Sequence, residues 1–365
     1  MTKIAEIIEH LAEFAPPIYQ ESYDNSGLIC GNRDWEAKGV LISLDCTEAI
    51  ISEAIAKGCN LVVAHHPIVF KGLKSLTGKN YIERTIISAI KHDIAIYAIH
   101  TNLDNMLHGV NRRIADKLDL QNLSILAPKA QTLLKLTTFI PEEASAAVLS
   151  ALFEAGAGQV GHYKNCSFSL TGEGSFMPDE EAAPHIGEAH VQEFVHEKRV
   201  EVLVPIAAKS RLLQALKQAH PYEEVAYYLH ALENENQEIG SGMIGRLPQA
   251  MEMNEFLGYL KEKMSLSCIR YTPQPHKKIQ NVAVCGGAGS FLLPMAISRK
   301  ADAFVTADFK YHEFFDAEDK VMICDIGHYE SEVFTKDLIH DILKKKFVKF
   351  ALCLSDTVTN PISYF

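Results

Sequence analysis

One plan of strands and helices is stated twice along this chain, and the repetition leaves few folds open to it. In each half, apolar strand patterns alternate with helix patterns, and a strand runs into His-x-x-x-carboxylate. The two stretches are Asp93-Ile-Ala-Ile-Tyr-Ala-Ile-His100-Thr-Asn-Leu-Asp104 and Lys320-Val-Met-Ile-Cys-Asp-Ile-Gly-His328-Tyr-Glu-Ser-Glu332. A third strand pattern, Cys59-Asn-Leu-Val-Val-Ala-His65-His66-Pro67, ends in paired histidines. Strands separated by helices imply parallel βαβ units, and such sheets gather their sites beyond the carboxyl ends of the strands. His65, His66, His100, Asp308 and His328 all fall at such ends.

In the first half, residues 39–45 read as a strand, Thr47 as a helix N-cap, and Gly58 as the residue just past the helix end. The last third repeats this with a strand at 282–285, a helix at 290–300 and a strand at 303–308. Between the halves lies a different segment. Its patterns run strand 133–140, helix 142–155, strands 166–170 and 200–205, helix 209–218 and strand 225–229. That is the β-α-β-β-α-β, ferredoxin-like order. The expected organisation is α/β: a first core lobe at 1–127, an inserted ferredoxin-like α+β domain at 128–236, and a second core lobe at 237–365.

Imidazoles and carboxylates at the mouths of several strands form the donor set of a divalent-metal site. Successive strand residues point to opposite faces, so His65 and His66 more naturally serve two neighbouring ions than one. Two carboxylates among several imidazoles suit a pair of ions with one carboxylate bridging them, and such a pair lowers the pKa of a shared water. Taken singly, each motif has a plainer reading. A lone strand-end histidine is usually hydrogen-bonded and structural, and His328-x-x-x-Glu332 could be a surface helix pair; their convergence favours the metal. Cys285-Gly-Gly-Ala-Gly-Ser290 reads equally as an anion cradle and as a tight turn. Asp24-Asn-Ser-Gly27 reads better as a turn than as a site loop. His312 reads equally as a site residue and as a surface histidine.

The net charge of −11 argues against a broad nucleic-acid or anionic-membrane surface. The eight cysteines form no Cys-x-x-Cys pair, so they indicate a reducing, cytoplasmic setting rather than a disulfide framework or a thiolate zinc site. No signal peptide or membrane span is expected.

Taken together, Asp24-Asn-Ser-Gly-Leu28, Ala64-His-His-Pro67, His100-Thr-Asn-Leu-Asp104, Cys285-Gly-Gly-Ala-Gly-Ser290, Thr306-Ala-Asp308 with His312, and Gly327-His-Tyr-Glu-Ser-Glu332 resemble the dinuclear-metal-centre family of GTP cyclohydrolase I type 2 homologues, the Nif-three-like proteins. Within the middle segment, Gly158-Gln-Val-Gly-His-Tyr-Lys-Asn-Cys166, Gly172-Glu-Gly-Ser-Phe176 and His220-Pro-Tyr-Glu-Glu224 are similar to the extra PII/CutA-like domain of the longer bacterial members. The resemblance implies two divalent ions per subunit; nitrogen–oxygen donors accept zinc, expected first, and also iron, manganese, cobalt or nickel. It implies His65, His66, Asp104, His328 and Glu332 as ligands, with Glu332 bridging and His100 adjacent. It also implies a homohexameric ring. The function expected from this is metal-dependent hydrolysis of a nucleotide-like substrate. In its concrete form, activated hydroxide attacks C8 of GTP, opens the imidazole ring and releases formate, while His100 or His312 shuttles protons. Phosphoester cleavage is a variant. The alternative is a non-catalytic, metal-holding scaffold whose insert binds a small molecule or partner.

Overall fold

The computed structural model describes residues 1–274 and 276–365. They divide into two compact units, Met1–Pro128 with Gln237–Phe365, and Lys129–Asn236. Among the described residues, no helix is long and apolar enough to cross a membrane.

The larger unit is built on two sheets. The first orders the strands Gly27–Cys30, Ala95–Ala98, Leu61–Ala64, Val40–Ser43 and Leu352–Leu354, all parallel except Gly27–Cys30. The second orders Arg270–Tyr271, Met322–Asp325, Ala303–Ala307, Ile279–Ala288, Asn236–Met251 and Gln121–Lys129, and its three strands from Met322–Asp325 to Ile279–Ala288 are mutually parallel. The halves trade strands. Gln121–Lys129 joins the second sheet, and Leu352–Leu354 returns to the first. The repeated motif does not announce this exchange: the returning strand Leu352–Leu354 is too short to have a period, and Gln121–Lys129 lies outside the repeat.

Every residue of Val40–Ser43, Leu61–Ala64 and Ala95–Ala98 is buried. Alternate side chains serve two cores. Val40, Ile42, Val63 and Tyr97 join Val284, Val305 and Cys324 of the second sheet in one core, while Leu41, Val62 and Ile96 pack against Ile50, Ile51 and Ile86 of the covering helices. Both faces are thus covered, which is why these strands read as unbroken apolar runs. Thr47 caps the helix Glu48–Ala56 by accepting from Ile50 N, and Gly58 takes φ +68° beyond its end. The helix expected at 290–300 is shorter: a 3-10 turn, Ser290–Leu292, leads into Leu293–Ser298, with a proline in the first turn.

The smaller unit has one antiparallel sheet in the order Ser167–Phe176, Glu193–Pro205, Leu133–Pro141 and Tyr227–Leu232. The helices Ser145–Glu154 and Lys209–Ala219 complete a β-α-β-β-α-β series. Leu134, Leu136, Val200 and Val202 pack beneath Val148, Leu152, Leu212 and Leu216. Phe168, Leu170 and Tyr228 are exposed.

In the larger unit, the loop after His66 is tied to the helix Tyr81–Lys91. The Glu83 side chain is only 2% exposed. Its Oε2 accepts from Thr77 N (2.9 Å), Thr77 Oγ1 (3.0 Å), Gly78 N (3.0 Å) and Lys79 N (3.3 Å). The backbone bond from Thr77, followed by the other donors, holds its carboxyl down to about 2, from an ordinary 4.5. A depressed carboxyl stabilises the fold above its unfolded pKa and loses that contribution as protons return. Amide protection of residues 77–79 in hydrogen exchange is therefore expected to hold above pH 4.5 and fade towards pH 2. Glu83→Ala should abolish it at neutral pH; a variant as protected as the parent would refute the anchor.

Candidate functional site

Strand register brings the chemistry together. Ser43 pairs with Ala64, and Ala64 with Ala98, so Asp45, His65–His66 and His100 emerge side by side at the sheet's carboxyl edge. In the second sheet Thr306 pairs with Asp325, which brings Asp308 level with Gly327 and His328. The short helix His328–Glu332 then places Glu332 one turn after His328.

Side chains from both sheets meet on Glu332, which is 3% exposed. Its Oε2 lies 2.9 Å from His66 Nε2 and 3.0 Å from His328 Nε2, and these two nitrogens are 3.4 Å apart. Its Oε1 lies 3.9 Å from His65 Nε2, which is 3.5 Å from Asp104 Oδ1. Three donor groups result among the described residues: His66–His328–Glu332, His65–Asp104–Glu332, and His65–His66–His100. Within each, the potential ligand atoms lie within 4.8 Å of one another. His312 is in none of them. It is exposed and stacks on Phe315, with ring centroids 6.4 Å apart.

Each clustered imidazole is aimed by an outer partner. His65 Nδ1 donates to Ile99 O (2.8 Å), His66 Nδ1 to Asp45 Oδ1 (2.8 Å), His100 Nδ1 to Asp24 Oδ1 (2.8 Å) and His328 Nδ1 to Asp308 Oδ2 (2.7 Å). A carbonyl or carboxylate can only accept, so each Nδ1 carries the proton and each Nε2 is turned inward. Asp24 also accepts from Ser26 Oγ, Thr101 N and Thr101 Oγ1, so the loop expected to be a mere turn fixes His100. Nothing in the sequence singles out Asp45, although it too follows a strand end.

Burial holds the His65 imidazole down to about 4, so it is neutral at pH 7 and its Nε2 is a bare lone pair. Burial, and then the nearby Glu332, raise Asp104 well above the usual carboxylate range. His65 Nε2 and Asp104 Oδ1 are buried and make no hydrogen bond in the structure. Acceptors converging at this depth without a donor are costly unless a cation satisfies them. Nitrogen and oxygen donors of this kind suit a borderline divalent ion. The residues therefore fit a divalent metal, with Glu332 common to two of the donor groups.

Burial opposes charge on His66 and His328, but carboxylates outweigh it. Asp45 and Glu332 hold His66 up to about 10, and Glu332 with Asp308 holds His328 up to about 9. For Glu332 burial is likewise outweighed: contacts from His328, His65 and His66 keep it well below the usual range.

The Cys285–Ser290 loop serves this carboxylate. A Cβ on Gly287, whose φ is +62°, would stand 2.5 Å from Glu332 Oε1, and one on Gly286 would stand 3.2 Å from its Cγ. Gly286 N donates to Asn111 Oδ1 and Gly287 N to Ser331 Oγ, so neither amide is free to cradle an anion. The cluster opens into a cavity of about 1090 Å³ whose wall carries Phe70, Lys71, Lys74, Lys79 and Phe291.

Comparison with known proteins gives a consistent picture. Residues 2–361 match the family model Duf34/NIF3 (NGG1p interacting factor 3). The GTP cyclohydrolase 1 type 2 homolog of Bacillus subtilis (strain 168) is 37% identical over 365 residues, spanning 98% of each chain. The crystal structure of a Bacillus cereus protein related to NIF3 superposes with a TM-score of 0.88 at 34% identity, covering 100% of this chain and 99% of that one. Staphylococcus aureus protein SA1388 superposes with a TM-score of 0.78 at 32% identity, over 100% and 99%.

Two outcomes follow from the geometry. His66 and His328 are protonated at neutral pH in the metal-free protein, so their contribution to its stability is complete below pH 6.5 and is lost as pH rises through about 9 to 10. Loading with Zn²⁺ at pH 7 must displace those protons. Calorimetry in buffers of different ionisation enthalpy should show net proton release, with affinity rising with pH up to that range; loading without release would contradict the assignment. Gly287→Ala should push Glu332 aside and weaken metal binding about tenfold or more while the far-ultraviolet dichroism is unchanged. Binding equal to the parent's would exclude the steric role.

Proposed function

The chain belongs to the Duf34/NIF3 (NGG1p interacting factor 3) family, and on that premise we propose that it is a dinuclear, divalent-metal-dependent hydrolase of a nucleotide-like substrate. The observation that carries this reading is the sharing of Glu332 between two donor groups that contain His65, His66, Asp104 and His328. When bound, a pair of divalent ions, zinc before iron, manganese, cobalt or nickel, supplies Lewis acidity and a water of lowered pKa.

The chain's own residues take the remaining roles. Glu332 holds both donor groups, while Ile99 O, Asp45 and Asp308 fix the rings that face it. His100, pinned by Asp24 and 5.4 Å from the His66 ring, is the imidazole placed to pass protons at the cavity wall. His312, exposed and outside the clusters, is the weaker candidate for that role. The lysines at positions 71, 74 and 79 offer cations to phosphates, and Phe70 and Phe291 offer faces to a base. Opening of the GTP imidazole ring at C8 is the form of hydrolysis that such a wall would serve.

We read the unit Lys129–Asn236 as a PII/CutA-like insert, on the strength of its strand order. Its exposed Phe168, Leu170 and Tyr228 favour self-association, in keeping with a homohexameric ring. Eight free thiols favour a reducing, cytoplasmic setting.

The test is turnover. Purified protein, metal-loaded or treated with chelator, is incubated with GTP and with phosphoesters, and the products are analysed for formate and phosphate. Metal-dependent turnover abolished by His66→Ala is expected. Loaded protein that keeps its metal firmly and turns over none of these compounds would overturn the enzymatic reading in favour of a metal-holding scaffold.

A further inference from the structure

The residues after the strand Leu352–Leu354 form neither helix nor strand, yet they are tied down along their length. Glu53, on the helix Glu48–Ala56, accepts from Ser355 Oγ (2.6 Å), Asp356 N (2.9 Å), Thr357 N (3.3 Å) and Thr357 Oγ1 (2.6 Å). Lys57 Nζ donates to Asp356 Oδ2 at 2.8 Å. Farther on, Asn360 Nδ2 donates to Glu330 Oε1 at 3.0 Å, on the same short helix as His328 and Glu332. The segment therefore runs as a strap from one half of the larger unit to the other, and Thr359 and Pro361 line the cavity.

Midway along the strap, Thr359 Oγ1 donates to Asp45 Oδ2 at 2.5 Å. The other oxygen of Asp45 accepts from His66 Nδ1 at 2.8 Å, and His66 Nε2 faces Glu332 Oε2 at 2.9 Å. We propose that Thr359 is a positioning residue of the metal centre, acting through Asp45 to hold the His66 ring at the orientation ligation needs. The inference rests on the metal-binding reading above.

The Asp45 side chain is one-third exposed. A carboxylate at that exposure, held through one oxygen only, can swing and exchange its free oxygen with water. Engaging both oxygens removes that freedom and locks the ring between Asp45 and Glu332. Outer partners of this kind typically govern metal affinity by about 10–100-fold. The hydroxyl comes from a segment remote in sequence from Asp45 and His66, so the His66–His328–Glu332 donor group has its final geometry only when the strap is seated.

The experiment uses the full chain with Thr359→Val, which keeps the side-chain shape and removes the hydroxyl, and Thr359→Ser, which keeps the hydroxyl. Zn²⁺ affinity and stoichiometry are measured by competition with a chromogenic chelator, alongside thermal melting of the metal-free proteins. The expected result is about 10–100-fold weaker binding of one ion in Thr359→Val, with the other ion retained. Parent-like binding is expected in Thr359→Ser, with melting of both metal-free variants close to the parent's. Parent-like affinity for both ions in Thr359→Val would overturn the proposal and leave the metal reading intact. Loss of both ions together with a large fall in melting temperature, unrescued by serine, would also overturn it, because the strap would then be acting on folding alone. A parent protein that binds no Zn²⁺ would overturn the metal reading itself and this proposal with it.

Discussion

A single buried carboxylate, that of Glu332, has to satisfy imidazoles from both sheets of the larger unit. One of its oxygens meets His66 and His328, and the other turns towards His65, which Asp104 joins in a second donor group. A group this deep is tolerated only when it is paired, because a buried carboxylate without partners loses its hydration and gains nothing in return. Much of the surrounding architecture follows from that demand. The two parallel registers level their strand ends so that donors face one another, and glycines at 286 and 287 clear the space the side chain occupies.

The outer ring of partners has its own logic. Asp24, Asp45 and Asp308 each fix one imidazole and so set which nitrogen points inward. Asp308 does so from a left-handed backbone, φ +59°, at the end of the strand Ala303–Ala307. Such a conformation is sparsely populated for residues other than glycine and tends to occur where the surroundings over-determine it. His328, held by that aspartate on one side and by Glu332 on the other, is such a surrounding.

The inner residues were legible in the sequence because they sit where strand patterns stop, and parallel sheets place sites at those stops. His65, His66, His100 and His328 stand at those stops, Asp104 and Glu332 follow His100 and His328 by four residues, and the structure brings their donor atoms together. What stayed hidden depended on long-range geometry. Asp45 resembles any strand-terminal acid until its contact with His66 is seen. Asp24 sits in a sequence that any turn would use. The glycine loop reads like an anion cradle, but its amides at 286 and 287 are occupied and its glycines answer a steric need. His312, close in sequence to Asp308, is on the exposed 3-10 segment Tyr311–Ala317. The exchange of strands between the halves left no periodic trace.

That exchange also bears on biosynthesis. Val40–Ser43 is apolar or buried at every position, and its far neighbour in the sheet is Leu352–Leu354, made some three hundred residues later. At the usual 5–20 residues per second of translation, the uncovered edge waits on the order of 15–60 seconds for its cover. An unpaired apolar edge is a template for pairing with another chain. Until the returning strand arrives, a nascent chain of this kind exposes an edge open to pairing with its neighbours.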